Sequence, residues 1–189
     1  MQELQPPLKK REILLNLLRS DKLIPWRLVH DWVCQACGEC CKHYIVELTP
    51  HEYAKIVQTY GYSPVTVSLG KMYLKRRADG SCFFLHEVGG RNLCGLQPIK
   101  PKACKLWPFQ VFEHPSFGYP ELSSYRYGRR EFHVYVVPRC KGLYYGEPSH
   151  RLKKKVIPEI LEIWLGLKVN QKYSTSSKLM VSTPLILRV

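Results

Sequence analysis

The sequence lacks any apolar run approaching the roughly 20 residues that a membrane-spanning helix needs. Its first residues also lack the apolar segment and small-residue cleavage site of a secretory signal, so we expect a cytoplasmic protein. Acidic residues are scarce, with 15 Asp and Glu against 29 Lys and Arg, which gives a formal net charge of +14. This imbalance makes nucleic acid a candidate partner, and a protein partner stays open as well.

Familiar catalytic motifs are also missing. The sequence has no glycine-rich phosphate loop, no H-E-x-x-H motif and no Ser/His/Asp arrangement. The residues by themselves therefore assign no catalytic group, and they leave open whether the protein is an enzyme.

Length and composition predict a globular protein. The chain has 189 residues, of which 45% are hydrophobic and 23% charged, enough to bury a core without disulfides. We predict an α+β fold: a small cysteine-rich domain over residues 30–145, with short strands and peripheral helices. An N-terminal helical extension over residues 1–29 and a C-terminal helix with a strand-like tail over residues 146–189 complete the predicted organisation.

Cysteine is abundant and unevenly placed. Four of the eight cysteines fall within Cys34–Cys41, where two-residue gaps let one turn of backbone direct several thiolates at a common point. A disulfide framework fits poorly because no secretory route is visible. We therefore predict metal or cluster ligation, and the candidate ligands are Cys34, Cys37, Cys40, Cys41, Cys82, Cys94, Cys104 and Cys140.

The spacing of these cysteines favours an iron–sulfur cluster over zinc. Structural zinc sites typically use two C-x-x-C pairs, whereas this chain has one C-x-x-C-x-x-C run and isolated cysteines farther on. Three ligands on one loop with a remote fourth is a ferredoxin-like arrangement, so a 4Fe-4S cluster is favoured and zinc is the alternative. Cys40 and Cys41 are adjacent, and we predict that their side chains diverge, with Cys41 pointing away from the other three.

Several helices are predicted from periodicity and capping. Residues 8–19 form an amphipathic pattern, and a capping box at Thr49 begins a helix that ends at Gly61. A helical turn over residues 101–108 would place Cys104 near a helix N-terminus, where the thiolate is favoured. A last helix over residues 151–167 is expected to break at Pro158.

Strands are predicted mainly from β-branched and aromatic content. The segments are 43–48, a hairpin over 65–76 that turns at Gly70, a buried strand over 81–85, then 93–96, 109–112 and 131–137, and a strand-like tail at 184–187. We interpret the aromatic segment between 112 and 131 as an exposed loop.

Three ordered motifs resemble the YkgJ-type cysteine-cluster family of zinc- or iron-chelating domains. They are Cys34-x-x-Cys37-Gly-x-Cys40-Cys41, Asp79-Gly-Ser-Cys82-Phe-Phe-Leu85, and Cys94 followed by Pro101-x-x-Cys104-Lys-x-x-Pro108-Phe109. Cys140-Lys-Gly also resembles the Cys-x-Gly that commonly closes the domain.

The resemblance covers roughly residues 30–145 and implies metal or cluster binding by all eight cysteines. The chain departs from the family at Leu96-Gln97, where an aromatic stretch is usual, and at Lys100, where arginine is more frequent. A flagellin lysine N-methylase is built partly on a similar pattern, so the resemblance also implies a methyltransferase-like enzyme with an iron–sulfur cluster as an alternative. A zinc-stabilised module that binds nucleic acid or protein is the other alternative.

Overall fold

A computed structural model describes residues 7–175 of the chain, which combine short helices and short strands. The predicted α+β fold class is confirmed. The predicted tail strand at 184–187 lies outside the described residues.

The helices and strands follow one another in mixed order. The α-helices are α1 (Pro7–Arg19), α2 (Glu39–His43), α3 (Pro50–Tyr60), α4 (Lys102–Leu106), α5 (Pro120–Ser123) and α6 (Ile157–Trp164), with 3-10 turns at Trp26–Leu28 and Gln97–Ile99 and a π-helical turn at Leu152–Val156. The strands are β1 (Ile24–Pro25), β2 (Val29–Trp32), β3 (Glu47–Leu48), β4 (Val65–Ser68), β5 (Lys71–Leu74), β6 (Leu85–Val88), β7 (Arg91–Cys94), β8 (Phe109–Phe112), β9 (Ser124–Tyr127), β10 (Arg130–Val136) and β11 (Leu143–Tyr145). None of the helices within residues 7–175 is long and apolar enough to cross a membrane.

The described chain divides into two compact units. The split unit is made of two segments, residues 7–33 and 107–174, and the cysteine unit comprises residues 34–106. The domain boundaries expected at residues 30 and 145 stay a prediction.

The split unit is organised around β10. This strand pairs antiparallel with β8 along one edge, and along the other edge with β9 and then β1. Its apolar residues Phe132, Val134 and Val136 are fully buried, as expected for a strand with neighbours on both edges. Strand β9 lies in the segment interpreted as an exposed loop, and that interpretation is wrong. The sequence Ser-Tyr-Arg-Tyr of β9 alternates too weakly to signal a strand before its partner is known.

The last helix of the split unit does not break at Pro158, and that prediction is wrong. Helical backbone continues from a π-helical turn at Leu152–Val156 into α6, with Val156 and Ile157 both in the right-handed helical region, and Pro158 occupies the first turn of α6. Proline has no N–H to donate, and the π-helical turn directly before it accommodates the ring without ending the helix. Ile157, Ile160 and Leu161 are fully buried and form the apolar face of α6.

The cysteine unit contains a three-stranded sheet and a separate hairpin. Strand β5 lies between β3 and β4, and β6 pairs with β7 across a turn at Gly89 and Gly90. The hairpin predicted over 65–76 and the helix predicted between Thr49 and Gly61 are confirmed, including the capping box between Thr49 and Glu52.

Two strand predictions near the cysteines are wrong in extent. Residues 43–46 are not a strand, because helix α2 runs to His43 and pairing begins only at Glu47. Residues 81–84 make a single bridge, from Cys82 to Arg76, before β6 begins at Leu85. Aromatic and β-branched content indicated burial in both segments, but burial here comes from packing against the core rather than from a ladder of strand hydrogen bonds.

Candidate metal centre

The loop that carries the first cysteines has an unusual backbone. Ala36 and Gly38 both adopt left-handed φ angles, of +52° and +76°, and Gly38 then begins helix α2. The backbone N–H of Cys41 donates to the Gly38 carbonyl at 2.8 Å. These turns reverse the chain twice within five residues and direct Cys34 and Cys37 from the loop and Cys40 and Cys41 from the helix.

Cys40, Cys41 and Cys82 form a contacting trio of sulfurs. The Sγ atoms of Cys40 and Cys41 are 3.9 Å apart, and the Cys41 thiol also hydrogen-bonds with Cys82. The backbone supports this contact, since the N–H of Cys82 donates to the Cys41 carbonyl at 2.7 Å. The prediction that Cys41 diverges from Cys40 is therefore wrong. The two residues lie in the short helix α2, where the side chains lean toward one side because the core covers Cys41.

The hydrogen bonds of the trio separate the acidities of its members. A hydrogen bond with Cys41 lowers the pKa of Cys40 to about 7, and a hydrogen bond with Cys41 likewise lowers the pKa of Cys82 to about 7. In both cases burial acts in the opposite direction. The hydrogen bonds with these two neighbours raise the pKa of Cys41 far above its ordinary value. Two of the three sulfurs are thus close to the thiolate form that metal ligation requires.

Three further cysteines of this unit are held as thiols by burial. Burial raises the pKa of Cys34, of Cys94 and, most strongly, of Cys104. The expectation that a helix start favours the Cys104 thiolate is wrong, because α4 has only five residues and the loss of water around the sulfur outweighs its dipole.

Lys100 supplies positive charge to this group. Its ammonium group acts to lower the pKa of Cys34, Cys40, Cys94 and Cys104, although it is not the largest influence on any of them. A cation within electrostatic reach of four sulfurs stabilises them once they are ionised. The sequence drew attention to Lys100 only as a departure from the family, and nothing in its spacing indicated this role.

Backbone and side-chain hydrogen bonds fix the segments that carry the sulfurs. Glu52 accepts from the backbone N–H of Lys102 at 2.6 Å, which links the start of α3 to the start of α4. Arg76 donates to the carbonyls of Gly80 and Lys42, and so links the turn before Cys82 to the end of α2. The sequence indicated Glu52 only as a partner of Thr49 in the capping box and did not indicate Arg76, because both of these links go to distant backbone atoms.

Cys140 belongs to the split unit. It is buried, and the indole Nε1–H of Trp32 donates to its Sγ at 3.3 Å. Nearby, a Cβ at Gly142 would lie 2.2 Å from the Val33 carbonyl oxygen, so only glycine fits at this position. The close approach explains the glycine of the Cys-x-Gly motif. Ligation by Cys140 together with the other seven cysteines stays a prediction.

The donor set fits a soft metal or a cluster, although the site is not preformed. None of the eight cysteines forms a disulfide. Thiolates are suited to zinc and to iron–sulfur clusters. Within residues 7–175, no three His, Cys, Asp or Glu side chains are already arranged to hold a metal ion. Binding would replace the thiol hydrogen bonds of the trio by metal–sulfur bonds.

The comparison with protein families agrees with this donor chemistry. Residues 33–134 match the family model described as "CxxCxxCC: Putative zinc- or iron-chelating domain". The match covers more than half of the chain. The chain belongs to this family. No curated protein and no solved structure gives a match to the chain. The family supports metal binding and leaves the choice between zinc and iron open.

Proposed function

We propose that this CxxCxxCC protein carries a 4Fe-4S iron–sulfur cluster on its cysteines and has a redox or cluster-dependent role. The cysteine unit would supply ligands from the set that contains Cys34, Cys37, Cys40, Cys41, Cys82, Cys94 and Cys104, and Cys140 stays a predicted ligand. When bound, the cluster would supply one-electron transfer, or an open iron position for a substrate.

The observation that carries this proposal is the approach of remote sulfurs to the Cys34–Cys41 run. Cys82 is 41 residues after Cys41 in the sequence, yet the two side chains are hydrogen-bonded. Cys94 and Cys104 lie within electrostatic reach of Cys40. Three thiols from one short run with further thiols from remote segments is the arrangement that supports a cluster.

The surroundings of these sulfurs suit a redox centre. Cys41, Cys82, Cys94 and Cys104 pack against the apolar core of the unit. Limited access to water and a nearby positive charge are two of the means by which a protein adjusts a cluster's reduction potential. Here the apolar core limits access and Lys100 provides the charge.

Analysis of metal and sulfide after anaerobic purification tests the proposal. We expect brown protein that contains iron and acid-labile sulfide in equal amounts and gives an electron paramagnetic resonance signal in the reduced or oxidised state. Protein purified in air is expected to lose iron and to take up zinc. Stoichiometric zinc without sulfide, from protein never exposed to oxygen, would contradict the cluster and leave zinc in its place.

A second candidate function is a zinc-stabilised module that binds nucleic acid. Two ligands of one tetrahedral ion with metal–sulfur bonds of about 2.3 Å have sulfurs about 3.8 Å apart. The separation between Cys40 and Cys41, 3.9 Å, is compatible with that geometry. In a cubane cluster, by contrast, each cysteine binds a different iron.

A concentration of lysines in the split unit supports the binding part of this candidate. Three ammonium groups, from Lys155, Lys168 and Lys172, lie 5.2–5.9 Å from the centre of the Tyr173 ring. Lys168 is paired with the buried Glu159 at 2.6 Å. Lys155 and Lys172 are exposed and have no carboxylate partner among residues 7–175, so their charge is available to a polyanion.

Replacing two of these lysines tests nucleic-acid binding. We expect Lys155→Gln with Lys172→Gln to weaken binding of single-stranded RNA and to reduce its salt dependence by about 0.7 per lost phosphate contact. The matched control, Lys10→Gln with Lys71→Gln, removes the same charge from lysines that are paired with Glu147 and Glu47. Equal losses in both pairs would indicate a general effect of net charge and would count against a defined surface.

A further inference from the structure

Asn92 contacts the loop between Cys34 and Cys41 through both its backbone and its side chain. The backbone N–H of Asn92 donates to the carbonyl of Ala36 at 3.0 Å. Its side-chain Nδ2–H donates to the carbonyl of Cys37 at 3.2 Å. Asn92 thereby satisfies two consecutive backbone acceptors of a loop whose own turns leave them without partners in a helix or strand.

The contact with the loop is also steric. Gly38 follows Cys37, and a Cβ added to it would lie 2.9 Å from both Cβ and Cγ of Asn92. That distance is shorter than a real carbon–carbon contact, so the glycine and the asparagine fit directly against each other. Gly38 is therefore required both by its φ of +76° and by the space that Asn92 occupies.

The hydrogen bonds also hold a strained backbone. Ala36 is a buried non-glycine residue in the left-handed region, a strained conformation that persists only when its surroundings enforce it. The Ala36 N–H donates to Cys34, and its carbonyl accepts from Asn92. One residue, Ala36, thus links the Cys34 sulfur to Asn92.

Asn92 connects two groups of cysteines. It lies in β7, two residues before Cys94 and opposite Glu87 of β6. Because residues i and i+2 of a strand point to the same face, the strand that presents Cys94 also presents the side chain that holds the loop. The position of Cys37 relative to Cys94 is therefore set through a rigid hairpin.

We propose that Asn92 is a positioning residue of the metal site, which orders the Cys34–Cys41 loop before metal binds and so increases metal affinity. The inference rests on the proposed function, since it presumes that this loop binds metal. Asn92 itself is not a ligand in this proposal. Its effect comes from the loop order that exists before metal arrives, which reduces the ordering cost of binding.

Titration with Zn²⁺ and Co²⁺ tests this proposal on the full chain. The informative variant is Asn92→Leu, because leucine has nearly the shape of asparagine but cannot donate to the Cys37 carbonyl, while the backbone N–H bond to Ala36 is retained. We expect its Kd for Zn²⁺, measured against a competing chelator, to rise by about 10–100-fold, the range observed for loss of an outer-shell partner. Metal stoichiometry and the Co²⁺ absorption spectrum at saturation should not change, since the ligands are the same.

The control variant is Glu87→Leu. Glu87 is exposed, lies directly across the hairpin from Asn92, and makes no contact with the loop that the structure records. We expect wild-type affinity from it. A more severe variant, Asn92→Ala, should weaken Zn²⁺ binding further. If circular dichroism shows that Asn92→Ala is unfolded, the result for Asn92→Leu decides the test.

A double-variant cycle tests the contact with Gly38. Gly38→Ala should weaken Zn²⁺ binding, and the additional loss should be smaller in an Asn92→Gly background, where the collision is removed and only the backbone strain remains. A wild-type Kd for Asn92→Leu, or a strictly additive cycle, would overturn the proposal while leaving metal binding intact. A wild-type protein that takes up neither metal, and that contains no iron or sulfide after anaerobic purification, would overturn the proposed function, and this inference with it.

Discussion

Removing the bound metal or cluster should lower the melting temperature of the protein by more than about 10 °C. Structural thiolate sites contribute on the order of 10 kcal/mol of apparent binding free energy, and about 1 kcal/mol shifts the melting temperature of a chain of this size by roughly 2–4 °C. We expect a large effect because the cysteine unit contains only short strands, of two to four residues each, which hold its segments together weakly. Thermal unfolding followed by circular dichroism, with metal content verified, measures it.

The loss of stability caused by metal removal should be uneven along the chain. Hydrogen exchange of the metal-free protein should show lost protection over residues 34–106, because a metal bound to the cysteines of that segment would link its short helices and strands. Protection in β10 should persist, since its side chains Phe132 and Val134 are fully buried in a core that contains no cysteine of the Cys34–Cys104 group. Adding back Zn²⁺ serves as the control for damage during stripping. Verified metal-free protein that melts like the native form would refute the prediction.

Features set by neighbouring residues were predictable from sequence. The capping box at Thr49 and the hairpin at Gly70 each depend on a few adjacent residues whose chemistry has one favourable outcome. The motifs that indicate the family are local in the same sense. They place cysteines at fixed spacings, and residues 33–134 match the corresponding family model.

Features set by distant residues were not predictable. Strand β9 exists because β10 pairs with it, and its own sequence gives little sign of this. Cys104 is a thiol because the folded unit buries it, although its place near a helix start suggested a thiolate. Asn92 and Lys100 act on cysteines from other parts of the chain, and a single sequence contains no measure of such distances.

The adjacent residues Cys40 and Cys41 show most clearly that features set by distant residues cannot be predicted from sequence. Side-chain directions in a regular helix or strand predicted that Cys40 and Cys41 diverge. In the structure they lie in a five-residue helix that follows the left-handed Gly38, and Cys41 contacts both Cys40 and Cys82. The rule for regular elements does not hold for an element this short, whose orientation is fixed by the packing of its end against the core.

Replacing Cys41 by serine should therefore reduce metal affinity as strongly as replacing Cys40, by more than the roughly 10–100-fold that loss of an outer-shell partner costs. Serine retains the size of the side chain but is a poor ligand for soft metals. At position 41 it would replace the sulfur that contacts both Cys40 and Cys82. Zn²⁺ competition titrations and iron and sulfide content after anaerobic purification measure the effect.

The control variant is Ser81→Ala, which should bind metal normally. It removes a hydroxyl that lies beside Cys82 in the sequence but donates its hydrogen bond to Asp79. Wild-type affinity for Cys41→Ser together with a large loss for Cys40→Ser would show that Cys41 only packs against the core, and would restore the divergent arrangement expected from regular helix geometry.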